Sequence, residues 1–298
     1  MMRIGAAMFL LAWILAGCAH RANLGEDPGA LAIRIEEPAQ EAGAEEGAQA
    51  SYFNRLWELD ERSRRDRDAI VPHRPSYFVS VSYLESPNVD AVRAADPRKE
   101  LKNLEALFQV SFKVKLWEDV LGEAMDLWCG YTQRSFWQVY NFDDSSPFRE
   151  TDYEPELLLN LRTDYDVLGL HARFLNLGLN HQSHGQSEPL SRSWNRVGAN
   201  LGLESAPFSL LAKGWYRIPE STADDDNPGM EKYMGYGELW ADCFLGDHRL
   251  GLVLRNNLRF RGNRGSVQVE WSFPLFDLQK VQGYVQYFNG FGDRKSVV

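Results

Sequence analysis

His181 and Ser183 stand two residues apart in an alternating row, Leu175, Leu177, Leu179, His181, Ser183. On a strand, residues so spaced lie ~6.5–7 Å apart at Cα and project to one side. An imidazole so placed can take the hydroxyl proton and make the serine a nucleophile. The base then needs a partner for its other ring nitrogen. Asn195 heads the corresponding row of the next segment, Asn195, Val197, Ala199, Leu201, Leu203, and its amide oxygen can accept that N–H. A neutral amide suits a face turned toward hydrocarbon, where an ionised carboxylate is strongly disfavoured. Attack on an ester also creates an oxyanion that must be stabilised, and a metal ion can do this as a Lewis acid. The intervening loop, His184-Gly185-Gln186-Ser187-Glu188-Pro189-Leu190-Ser191, is rich in the oxygen donors that calcium takes. A lone histidine at a strand end is usually structural. Three polar groups on one apolar face are not explained that way.

These residues are positioned by a pattern of period two that begins at Tyr77. Phe108, Val110, Phe112, Val114 and Leu116 alternate with Gln109, Ser111, Lys113 and Lys115; Val267, Val269, Trp271 and Phe273 alternate with Gln268, Glu270 and Ser272. Each is a strand with one apolar and one polar face. Eleven such segments are expected, near 77–84, 105–117, 124–139, 153–163, 167–181, 193–204, 207–218, 232–244, 248–259, 265–275 and 281–288. Several exceed the ~5–6 residues usual in soluble sheets and approach the ~9–11 of a membrane-crossing strand. The expected fold is all-β: an antiparallel transmembrane β-barrel spanning 76–298, apolar side chains toward lipid and polar ones inside. A soluble β-sandwich is the competing fold.

The chain has 298 residues and a formal net charge of −10, which argues against a nucleic-acid partner. Its only long apolar run lies at the N-terminus, where residues 1–18 form a secretory signal ending in the lipoprotein-like box Leu15-Ala16-Gly17-Cys18. Residues 19–75 are expected to be an acidic, disordered periplasmic linker, with a short helix within 51–68. Cys129 and Cys243 match no metal-ligand spacing.

The stretch from Asn180 to Arg196 resembles the active-site segment of the outer membrane phospholipase A family. So do Tyr131-Thr132-Gln133 with Phe136-Trp137-Gln138, Ser145 to Thr151 continuing through Tyr153-Glu154-Pro155, and Asp225-Asp226-Asn227-Pro228 followed by Lys232 to Tyr236. Order and spacing are kept from about residue 77 to 290. The resemblance implies an outer-membrane enzyme of a Gram-negative bacterium that hydrolyses phospholipid acyl esters at either glycerol position, and lysophospholipids. In it Ser183 is the nucleophile, His181 the base and Asn195 the orienting residue. It implies a calcium ion held by the Ser191 side chain, the Gln186 carbonyl and the Ser145 carbonyl of a second subunit, so that a homodimer is active and a monomer rests. Gln133 resembles the polar residue of the dimer interface, where a partner would satisfy its amide. Glu188 and Asp226 resemble a second calcium site. Two departures stand out in the site: Gln186 replaces an Arg, and Glu188 replaces an Asp. The family barrel has twelve strands, so the twelfth is expected to be missing here. The rival reading is a non-enzymatic barrel, either a small porin or an inactive truncated relative.

Overall fold

The computed structural model describes residues 51–66, 69–85, 100–122, 124–184, 192–221, 225, 227–276 and 281–291, isolated residues 89 and 93, and the backbone of a strand at 32–35. The signal segment 1–18 and the acidic stretch 36–50 lie outside them. All eleven expected strands are present: β3 (Ser76–Tyr83), β4 (Leu104–Trp117), β5 (Met125–Trp137), β6 (Phe148–Val167), β7 (Leu170–Ser183), β8 (Ser193–Ser205), β9 (Phe208–Arg217), β10 (Gly237–Leu245), β11 (His248–Asn256), β12 (Gly265–Pro274) and β13 (Val281–Gly290). Each pairs antiparallel with its sequence neighbour. Lys232 to Met234, expected to begin a strand, belong instead to a helical turn, α2 (Glu231–Met234). The Gly235 that follows has a φ of 69°, which stops the turn before β10 begins.

A strand that the sequence did not point to, β1 (Ala32–Ile35), lies between β13 and β3. Ala32 to Ile35 oppose Tyr284 to Val281 on one side and Val79 to Ser76 on the other. The ladder therefore runs through twelve positions, although at this seam it is only four residues long. The rest of β13, a ten-residue strand, has no pairing with β1. A short β2 (Ile70–Pro72) pairs with Phe112 to Val114 of β4, in line with β3.

Side-chain directions follow the membrane rule. On β7, Leu177 and Leu179 are half exposed, whereas Ala172, Phe174, Asn176 and Gln182 are buried. On β4, Lys113, Lys115, Gln109 and Ser111 are buried, and Val110 and Leu116 exposed. This is apolar-out and polar-in, the inverse of a soluble sandwich. Among the described residues no helix is long and apolar enough to cross a membrane.

The interior explains how residues 51–72 behave, and here the linker expectation fails. Phe53, Leu56 and Trp57 share one face of α1 (Tyr52–Trp57), at helical spacing, and bury against Leu59, Val71, Trp128, Leu158 and Phe174 inside the barrel. Ser51 caps the helix, its Oγ accepting from Asn54 N at 2.9 Å. Glu204 of β8 accepts from Phe53 N at 2.8 Å, adding a carboxylate at the helix N-terminus. Gly202 leaves room for the Phe174 ring, which a Cβ there would overlap. The Lys113 ammonium sits 3.8 Å from the Trp57 ring centroid. The segment is thus a luminal plug. Beyond it the buried charges are paired, as they must be away from water: Arg74 with Glu154 at 2.6 Å and Glu156 at 2.5 Å, Arg196 with Glu154 at 2.8 Å, and Lys213 with Glu238 at 3.0 Å.

Candidate active site

The β7–β8 hairpin brings His181 opposite Asn195 and Ser183 opposite Ser193. His181 and Ser183 continue the outward row of Leu177 and Leu179, and Asn195 that of Val197, which is exposed. All three expected residues therefore lie on the lipid side, at the end where the 184–192 loop joins the strands. The inward positions beside them form the foundation. Gln182 opposes Trp194, whose indole Nε1 donates to Gln182 Oε1 at 3.0 Å. The Arg196 guanidinium covers the buried Trp194 ring at 4.1 Å and donates to Gln182 Oε1 at 3.3 Å and to Asn180. This packing fixes the backbone from which the outward groups project.

On the outer face, His181 Nδ1 lies 2.9 Å from Asn195 Oδ1. An amide oxygen only accepts, so the ring carries its proton on Nδ1 and leaves Nε2 basic. Among the described residues no hydrogen bond joins Ser183 Oγ to the imidazole. Catalytic hydrogen bonds are commonly long before substrate binds and tighten in the complex. The Asn195 amide nitrogen donates to Glu220 Oε1 at 2.9 Å, and Ile218 N donates to the Asn195 carbonyl at 2.8 Å. Arg217 holds Glu220 Oε2 at 3.4 Å, Asp225 Oδ1 at 2.5 Å and the Asn227 carbonyl at 2.9 Å.

Glu220 is a residue the sequence did not point to. It sits in a loop with no periodicity, and its contact joins the two ends of a hairpin across 25 positions. His184 is another. Its ring nitrogens meet Glu150 at 3.1 Å and Asp152 at 3.0 Å on the luminal side of β6, and its backbone N–H donates to the Arg192 carbonyl at 3.0 Å. The three side chains could offer metal ligands. Each imidazole nitrogen faces a different carboxylate, which ties His184, at the end of β7, to β6.

Of the expected calcium ligands, Gln186, Glu188, Ser191 and Asp226 lie outside the described residues. Ser145 follows the short turn Phe142–Asp144, exposed, at a φ of 55°. It belongs to the β5–β6 connection, at the same end of the barrel as the 184–192 loop. Gln133 is on the outer face, as expected, but its amide already has partners within the chain. Its Oε1 accepts from Tyr131 Oη at 3.1 Å and its Nε2 donates to Ser135 Oγ at 3.2 Å. The cost of a bare amide in lipid, from which an interface was expected, is thus partly met by the monomer.

The family model described as Phospholipase A1 matches residues 53–295. Phospholipase A1 of Escherichia coli K12 is 35% identical over 224 residues, 75% of this chain and 75% of its own length. A Neisseria meningitidis relative is 36% identical over 282 residues, 90% of this chain and 72% of its own. Among solved structures, the outer membrane phospholipase A of Escherichia coli superposes with a TM-score of 0.70 at 34% identity, covering 79% of this chain and 88% of that one. The Salmonella typhi outer membrane phospholipase dimer with bound calcium gives 0.73 at 33% identity, covering 83% and 91%.

Proposed function

From the premise that this chain belongs to the phospholipase A1 family, and is an outer-membrane ester hydrolase acting on phospholipids, we propose that it works by Ser–His–Asn acyl transfer, dependent on calcium and on dimerisation. The observation that carries the proposal is the lipid-side pairing of His181 with Asn195, with Ser183 on the same row. A phospholipid then approaches sideways from the bilayer. His181 Nε2 takes the Ser183 proton as Oγ attacks the ester carbonyl, and returns it to the departing glycerol oxygen. Water, deprotonated by the same imidazole, releases the fatty acid. The same reading includes cleavage at both glycerol positions and of lysophospholipids, which the family resemblance implies.

The donor chemistry fits calcium: the Ser191 hydroxyl and the Gln186 carbonyl, with the Ser145 carbonyl from a second copy, are hard oxygens. When bound, calcium supplies positive charge at the developing oxyanion. Glu188 and Asp226 would hold a second ion. The His184–Arg192 backbone bond keeps the ends of the ligand loop together beside Ser183. Gln133 faces lipid and retains one amide hydrogen with no bond to Tyr131 or Ser135, available to a second copy.

The porin alternative is disfavoured by the lumen, which is filled by α1 and by paired charges. The test is fatty-acid release from mixed phospholipid–detergent micelles. Wild type should release acid with calcium and none with chelator, and Ser183→Ala should be inactive. Calcium-independent release, or full activity in Ser183→Ala, overturns the proposal.

A further inference from the structure

We infer that Glu220 is a positioning residue of this site: by accepting the Asn195 amide hydrogens, it selects the amide orientation and, through it, the imidazole tautomer. The inference rests on the Ser–His–Asn reading and extends it by a fourth member.

An asparagine beside a histidine has two orientations that differ by a half-turn of the amide. With oxygen toward the ring, the histidine must carry its proton on Nδ1, and Nε2 is free to act as base. With NH2 toward the ring, Nδ1 becomes an acceptor, Nε2 is protonated, and the histidine cannot take the serine proton. Sterically the two orientations are nearly equivalent, so chemistry has to choose between them. A carboxylate accepts and does not donate. With Glu220 Oε1 at 2.9 Å from the Asn195 amide nitrogen, only the productive orientation makes a hydrogen bond on both sides. The flipped orientation would set carbonyl oxygen against carboxylate.

Glu220 is itself held in place. Arg217 engages its other oxygen at 3.4 Å, and the same guanidinium binds Asp225 and the Asn227 carbonyl. Asn227 in turn donates through Nδ2 to the Ser193 carbonyl at 3.3 Å, two residues before Asn195. Ile218 N closes the ring by donating to the Asn195 carbonyl. The Glu220 side chain is 18% exposed, so its carboxylate keeps some access to water.

The experiment is a double-mutant cycle of Glu220→Ala and Asn195→Ala, with Ser183→Ala as control. Rates are normalised to the folded fraction read from band shifts of unheated samples. Glu220→Ala should lower kcat about ten-fold, the scale of one hydrogen bond to a charged group, with KM unchanged. In the Asn195→Ala background it should change kcat no further, because it acts only through that amide. The isosteric Glu220→Gln, which keeps an acceptor but can also present NH2, should fall between wild type and Glu220→Ala, and likewise lose its effect without Asn195. Wild-type kcat in both Glu220 variants, or losses that multiply in the Asn195→Ala background, overturns the inference. If Ser183→Ala stays active the underlying reading fails. If it is dead while the cycle is multiplicative, only the role of Glu220 fails.

Discussion

His181 and Asn195 face each other across β7 and β8 at 2.9 Å, on the outside of a barrel whose inside holds the charges. The proposed mechanism gives each a different role. If His181 moves the proton, His181→Ala should lower kcat by ~10²–10⁴. If Asn195 only orients it, Asn195→Ala should cost markedly less. Initial rates on one micellar substrate, with circular dichroism to establish folding, check this ordering. An equal or larger loss for Asn195→Ala would contradict it.

Calcium and the second copy should act together. Chelation should abolish release and calcium should restore it, with Ser191→Ala needing a higher calcium concentration for half-activity. Sedimentation in detergent should show the dimer favoured when calcium and a non-hydrolysable lipid are both present, and Gln133→Ala should weaken it. A monomer of full activity would contradict the account.

The luminal plug should carry stability rather than chemistry. Trp57 packs edge-on against Trp128 with ring centroids 6.0 Å apart, and is 4% exposed. Trp57→Ala should destabilise the barrel by about 3–5 kcal/mol, read from urea unfolding in detergent. The kcat of the folded fraction should remain near wild type.

The outward row can be tested without touching the site. Leu177 is half exposed four residues before His181. Leu177→Arg should cost about 2–4 kcal/mol if it sits at the bilayer midplane, and less toward either interface. Asn176→Ala, on the luminal face of the same strand, should instead be felt through the loss of its bond with Asn160, whose Nδ2 donates to Asn176 Oδ1 at 2.6 Å.

What was legible in the sequence is what a period of two can carry. The alternation of β7 and β8 placed His181, Ser183 and Asn195 on one face before any coordinates, because parity alone sets direction in a strand. Four-residue β1 and three-residue β2 are too short to show a period, so nothing in the sequence points to them. Phe53, Leu56 and Trp57 do carry a helical spacing, but the Arg, Asp and Glu around them pointed to a solvated segment. Only the barrel supplies the lumen that buries those rings. Glu220 and the Glu150–Asp152–His184 triad were illegible for another reason: they are contacts between separate segments at one barrel end, set by register and loop path.

The central claim is that Ser183 is a nucleophile activated by His181. It is tested most directly by treating the folded protein with a long-chain alkylsulfonyl fluoride, which modifies activated serines, and locating the adduct by peptide mass spectrometry. The account predicts a single adduct on Ser183, loss of activity in step with its formation, and no adduct in His181→Ala. Inactivation through an adduct elsewhere, or full activity with Ser183 modified, would contradict it.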